Sequence, residues 1–127
     1  MNILKKDIEK REDIELLVNS FYEKVQDNKI LGPIFNDVAK VNWETHLPKM
    51  YSFWASLLLG EQSYAGNPMT KHIALSKLTE LKETEFSEWI LLFNQTVDEL
   101  FEGRGANEAK TRAANIAKLM LLKIQTG

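Results

Sequence analysis

The sequence predicts an all-α protein, and three observations carry that prediction. Apolar residues recur three or four positions apart, as they do along one face of a helix turning about 100° per residue. The pattern is clearest in Ile14, Leu17, Val18, Phe21, Tyr22 and Val25, and again from Phe86 through Trp89, Ile90, Phe93 and Val97 to Phe101. No segment alternates polar and apolar residues over the length of a strand. Breaks at Gly32-Pro33, Gly60, Gly66-Asn67-Pro68 and Gly103-Arg104-Gly105 separate the periodic runs. With 127 residues, no internal repeat and no low-complexity tract, the expectation is one domain over 1–127, long enough to bury a core of its own.

Taken in order, Ile3, Leu4 and Ile8 suggest a marginal first helix, since three apolar residues among so many charges bury little. A firmer helix starts at Asp13, a plausible N-cap, and ends near Asp27-Asn28. Lys29 to Phe35 is a short apolar corner, a turn or a brief 3₁₀ piece broken by Gly32-Pro33. The helix from Trp43 to Gly60, capped by Asn42, places His46, Met50, Phe53 and Leu57 on one stripe, with Lys49 and Trp54 at its flanks and Pro48, Ser52, Ala55 and Ser56 opposite. Pro48 is expected to loosen its first turn. Such a stripe suits a flat, mostly apolar guest with an anionic rim; a core-facing helix carrying an incidental histidine would show the same pattern. Glu61 to Pro68 reads as a loop, and Met69 to Leu78 as a short helix with the second histidine, His72. The run from Phe86 to Phe101 is a long amphipathic helix. Beyond it, Ala109, Ala113, Ile116, Ala117, Met120 and Ile124 form another, whose small residues permit a neighbour's close approach.

Composition removes several classes of function. A net charge of −2 offers no broad basic field for a phosphate backbone, so no nucleic-acid partner is expected. Without cysteine there is no disulfide, thiolate zinc site, iron–sulfur cluster or cysteine nucleophile. Met1 to Asp13 has no apolar core of the kind a secretory signal needs, and apolar runs such as Leu57-Leu58-Leu59 and Ile90-Leu91-Leu92-Phe93 fall far below the roughly 18 residues of a membrane span. The expectation is a cytoplasmic protein without a membrane partner.

The remaining chemistry is narrow. Carboxylate-bridged di-iron bundles need paired Glu-x-x-His elements, which are absent, and two histidines cannot make a three-histidine zinc site. No nucleophile elbow, Walker loop or dinucleotide fingerprint occurs. A haem iron, by contrast, needs only one protein ligand, the rest being shape and polarity, and two histidines on separate helices suffice.

Six blocks then resemble, in order and spacing, the bacterial truncated haemoglobins of group III, a branch of the globin superfamily. They are Phe21-Tyr22-Glu23-Lys24-Val25, Leu31-Gly32-Pro33-Ile34-Phe35, His46-Leu47-Pro48-Lys49-Met50-Tyr51-Ser52-Phe53-Trp54, Pro68-Met69-Thr70-Lys71-His72, Phe86-Ser87-Glu88-Trp89, and Phe101-Glu102-Gly103 continuing through Ala109-Lys110-Thr111-Arg112-Ala113. The match runs from about Ile14 to Ile124. It implies a truncated globin fold, a two-over-two helical sandwich around haem b (iron protoporphyrin IX).

Carried over by position, the resemblance makes His72 the proximal iron ligand, with its other ring nitrogen fixed by a carbonyl or water. His46 is the distal histidine, which gates ligand entry, donates to ligand or coordinates iron. Tyr22 and Trp89 match polar distal positions, where a phenol O–H and an indole N–H stabilise negative charge on a diatomic ligand without net charge of their own. For either residue the plainer reading is an amphipathic aromatic of the core. Phe35 resembles the aromatic packed on the porphyrin. Met50, Phe53, Leu75, Leu78, Phe86, Phe93, Ile116 and Met120 are candidates for the apolar wall, and Lys49, Lys71 and Tyr64 for contacts to the propionates. Asn67 stands where the family often has arginine.

The implied function is reversible binding of dioxygen and other diatomics such as nitric oxide, serving ligand chemistry or sensing more than bulk oxygen transport. One alternative is an enzyme at the same site, a nitric oxide dioxygenase or peroxidase-like protein supplied by an unidentified reductase. Another is a cofactor-free helical bundle that binds a partner protein. A monomer is expected.

Overall fold

A computed structural model describes residues 5–38, 42–60 and 83–126, and every regular element among them is helical. Helix α1 spans Arg11–Asp27, α2 is a single turn at Leu31–Pro33, and a π-helical turn follows at Ile34–Val38; α3 spans Trp43–Leu59, α4 Glu83–Leu100 and α5 Arg104–Thr126. α1 packs on α3, and α4 on α5. α1 also lies against α4, and α3 against α5, so one pair of helices is layered over the other. This is the all-α, two-over-two arrangement the sequence predicts. Among the described residues no helix is long and apolar enough to cross a membrane.

The face of α1 that periodicity marks is the face that is buried: Ile14, Leu17, Val18, Phe21, Tyr22 and Val25 are all in the core. Its start differs from expectation. The N-cap is Lys10, and Asp13, at the third helical position, reaches back to accept the amides of Glu9 and Lys10 at 3.0 and 3.1 Å. Upstream, residues 5–10 form no helix. They instead run along the α4–α5 corner, where the Glu102 amide donates to the Lys6 carbonyl at 3.0 Å and the Asp7 carboxylate accepts from Gly105 and Ala106 at 2.9 and 2.8 Å. Asp7 thus caps α5 from nearly a hundred residues away. Gly103 and Gly105 leave room for it: a Cβ at Gly103 would sit 2.7 Å from the Asp7 Cγ.

Asn28 ends α1 and turns the chain. Its Oδ1 accepts from the amides of Ile30 and Leu31, both at 2.9 Å, while its Nδ2 donates to Glu88 on α4 at 2.8 Å. Gly32 permits the tight return, since a Cβ there would stand 2.6 Å from the Gln26 carbonyl oxygen. The corner that follows is an α turn widening into a π turn, which the sequence suggests only as an unspecified turn or 3₁₀ piece.

Asn42 caps α3 by accepting the Glu44 amide at 3.1 Å, and Gly60 ends it with φ of 74°. The helix runs unbroken from Trp43 through Pro48. Both sides of α3 are occupied. Trp54 and Ala55 are buried in the core, whereas Met50, Phe53 and Leu57 are half-buried. Ser52, on the side opposite the stripe, accepts from Arg11 at 3.1 Å, and the Tyr51 hydroxyl meets Asn19 of α1. On α5, Ala106, Ala109, Ala113 and Ala117 are buried three or four residues apart, which brings α4 close.

Candidate functional site

Between the two helix layers opens a cleft, with about 700 Å³ of space between atoms when its open mouth is counted. Each described element contributes to it. Tyr22 comes from the end of α1, and Leu31, Ile34 and Phe35 from the corner. Met50, Phe53 and Trp54 come from successive turns of α3. The first turns of α4 supply Glu85, Phe86 and Trp89, and the second half of α5 supplies Ile116, Ala117 and Met120. Ten of these thirteen are aliphatic, phenylalanine or methionine side chains or the core-buried Trp54, so polar chemistry is left to Tyr22, Trp89 and Glu85.

One wall is held by a stack of nearly parallel rings. Trp89 lies 14° from Phe93 at 5.8 Å between centroids, and Phe93 lies 19° from Trp54 at 4.8 Å. Phe21 meets both Trp89 and Phe93 edge-on, at 5.5 and 5.2 Å. Rings fixed in this way cannot turn without disturbing three helices, so the indole of Trp89 is a preorganised part of the wall.

Tyr22 is 5% exposed, and its hydroxyl finds no hydrogen-bond partner among the described residues. Burial pushes the phenol above its ordinary range, with no opposing hydrogen bond. At any ordinary pH it is therefore a neutral O–H donor lining an apolar cleft. A hydroxyl on the wall of such a cleft is available to a ligand that accepts a hydrogen bond.

Other residues singled out from the sequence fall in different places. Met50, Phe53, Phe35, Phe86, Ile116 and Met120 line the cleft alongside Tyr22 and Trp89. Phe93 stands behind the wall, fully buried. Lys49 is exposed and does not line the cleft. His46 is half-buried in a layer behind Tyr22, its ring edge-on to Tyr22 at 5.3 Å and to Trp43 at 5.6 Å. Tyr64, Lys71, His72, Leu75 and Leu78 lie outside the described residues. Five lining residues are not among the site candidates drawn from the sequence: Leu31, Ile34, Trp54, Ala117 and Glu85. Glu85 precedes Trp89 by four positions, the spacing of one helix face, and that relation was its available signal.

Comparison with known proteins points the same way. Residues 6–122 match the family model described as bacterial-like globin. The chain is 38% identical over 111 residues to a group 3 truncated haemoglobin of Campylobacter jejuni, covering 84% of each chain. It superposes on the crystal structure of a group III truncated haemoglobin from Campylobacter jejuni with a TM-score of 0.83, at 33% identity and over 95% of both chains.

Proposed function

The chain belongs to the bacterial-like globin family, and from that premise we propose that it holds haem b in the interlayer cleft and uses it to bind dioxygen and other diatomic ligands. The single observation that carries this reading is an apolar cleft whose wall presents the Tyr22 hydroxyl with no described protein partner. The residues present fit a flat macrocycle: Phe35, Met50, Phe53, Phe86, Ile116 and Met120 give apolar contact from four sides. When bound, haem supplies an iron that takes up small diatomics.

The rest is the work of the chain. His72, by its position in the Pro68 to His72 block, is the residue that would hold the iron through one imidazole nitrogen. The Tyr22 O–H and the Trp89 N–H offer uncharged donors to negative charge that develops on a ligand. Neither needs to reorganise, because Tyr22 is buried among rings and Trp89 is stacked on Phe93. Two such donors favour slow release, which suits ligand chemistry or sensing better than transport. That same feature supports a second reading, in which the site converts nitric oxide with dioxygen under supply from a reductase. A cytoplasmic, monomeric protein fits both.

The test is optical. Protein produced with ample haem should show an intense Soret band, and His72→Ala should lose it while keeping its helical circular dichroism. A folded but colourless parent protein overturns the proposal. Mixing the oxygenated form with nitric oxide under reductase turnover separates the two readings, since slow, non-catalytic consumption leaves binding alone.

A further inference from the structure

Trp43, the first residue of α3, is assigned no role by the cleft, yet it touches Phe35, Tyr22 and His46 at once. Its indole stacks on Phe35 at 6.1 Å and 23°, tilts against Tyr22 at 5.4 Å, and takes the His46 ring edge-on at 5.6 Å and 82°. Its Nε1–H donates to the Asn36 Oδ1 at 3.3 Å, which ties the start of α3 to the π turn. Tyr22 and Phe35 line the cleft, whereas Trp43 and His46 do not. The imidazole makes edge contacts with both the Trp43 indole and the Tyr22 ring.

We propose that Trp43 is a positioning residue that holds the His46 imidazole outside the cleft, and that its hydrogen bond to Asn36 is the latch that sets how often the imidazole swings in. The inference rests on the haem reading above and deepens it by naming what controls ligand access. The physical argument is one of competing contacts. Entering the cleft costs the imidazole its edge contact with Trp43, and an edge-to-face pair is worth enough to hold the outer position several-fold over the inner one. The indole keeps that contact only while its own angle is fixed, which is the task of the Phe35 stack and of Asn36. Both anchors belong to the corner, so the corner's conformation is communicated to the distal histidine through a single ring.

The experiment uses haem-loaded protein and carbon monoxide. Trp43→Ala should slow carbon monoxide association after flash photolysis at least threefold and shift the ligand-free ferrous spectrum toward six-coordination, as the freed imidazole occupies the cleft. Trp43→Phe, which keeps a ring but loses the N–H, and Asn36→Ala, which loses only the acceptor, should each produce a smaller effect in the same direction. The two combined should do no more than either alone. In a His46→Ala background, Trp43→Ala should leave association unchanged. The Trp43 indole N–H resonance of the carbon monoxide form should move in Asn36→Ala, a readout independent of activity. Equal effects of Trp43→Ala with and without His46 would make the indole ordinary packing and overturn the inference, as would unchanged rates in Trp43→Phe and Asn36→Ala. A parent protein that takes up no haem overturns the underlying reading instead, and is recognised by its missing Soret band before any variant is made.

Discussion

Tyr22→Phe removes one oxygen atom from the cleft wall and should move two quantities in opposite directions. The ring that phenylalanine retains keeps the aromatic contacts Tyr22 makes, to Phe21 at 4.9 Å, Phe35 at 6.1 Å, Trp43 at 5.4 Å and His46 at 5.3 Å, so no packing is lost. What is lost is a phenol oxygen on the cleft wall with no hydrogen bond to a described residue, for which the roughly 1–3 kcal/mol cost of a sealed, unsatisfied polar group is an upper bound. Because the cleft admits water on one side, the gain on removing it belongs at the low end, about 1 kcal/mol of added stability. Ligand binding loses instead a hydrogen bond to an acceptor carrying negative charge, worth about 1.5–3 kcal/mol, or roughly ten- to a hundredfold in dissociation. Urea denaturation at matched haem content reads the first quantity, and stopped-flow displacement of dioxygen from the ferrous protein reads the second. A variant less stable than its parent would mean that the hydroxyl is satisfied in the fold. An unchanged release rate would remove Tyr22 from ligand stabilisation.

Three further outcomes follow from the same geometry. Asp7→Ala deprives the start of α5 of a cap on two amides and should cost about 1–2 kcal/mol by thermal or urea unfolding; burial pushes the Asp7 carboxyl up, but the amides of Gly105, Ile8 and Ala106 outweigh it and hold it below its ordinary 3.8. The folded value being depressed, that stability is present above the ordinary value and lost as pH falls through the lowered one, so the parent's acid-unfolding midpoint should be blunted in Asp7→Asn. Gly32→Ala, whose Cβ meets the Gln26 carbonyl at 2.6 Å, should destabilise by about 2 kcal/mol or more and be rescued by no neighbouring side-chain change, because the clash is with backbone. Glu85→Gln removes the one carboxylate found in the described cleft wall and should raise the ferric protein's affinity for azide or cyanide a few-fold, measured by optical titration.

The parts of this molecule that the sequence discloses are those set by local periodicity. The buried face of α1 is readable residue by residue because Ile14 to Val25 meet a single continuous core. The caps at Asn42 and Gly60 are readable because each acts within one turn of itself. Long-range partnerships are not readable in this way. Asp7 sits in a charged stretch that looks like a weak helix, and only the fold brings the α5 amides to it. Asp13 looks like the N-cap of α1 but sits three positions inside the cap, from where it closes the helix start by accepting the amides of Glu9 and Lys10.

α3 shows where periodicity reaches its limit. A hydrophobic stripe says that residues share a side; it does not say whether that side meets other side chains or a cavity. On α3 both happen. Ala55 goes into the core and Trp54 is core-buried yet also lines the cleft, while Met50 and Phe53, one residue or one turn from Trp54, line the cleft half-buried, and the sequence writes all four in the same apolar alphabet. What separates wall from core is the polar group placed among apolar ones without a partner. Tyr22 satisfies the periodicity of α1 and would pass as core by spacing alone, yet its hydroxyl has no described protein acceptor or donor. A fold under selection for stability alone would carry phenylalanine there. The oxygen atom is therefore a local sign, one that spacing alone does not carry, that this stretch of α1 forms a cleft wall as well as core.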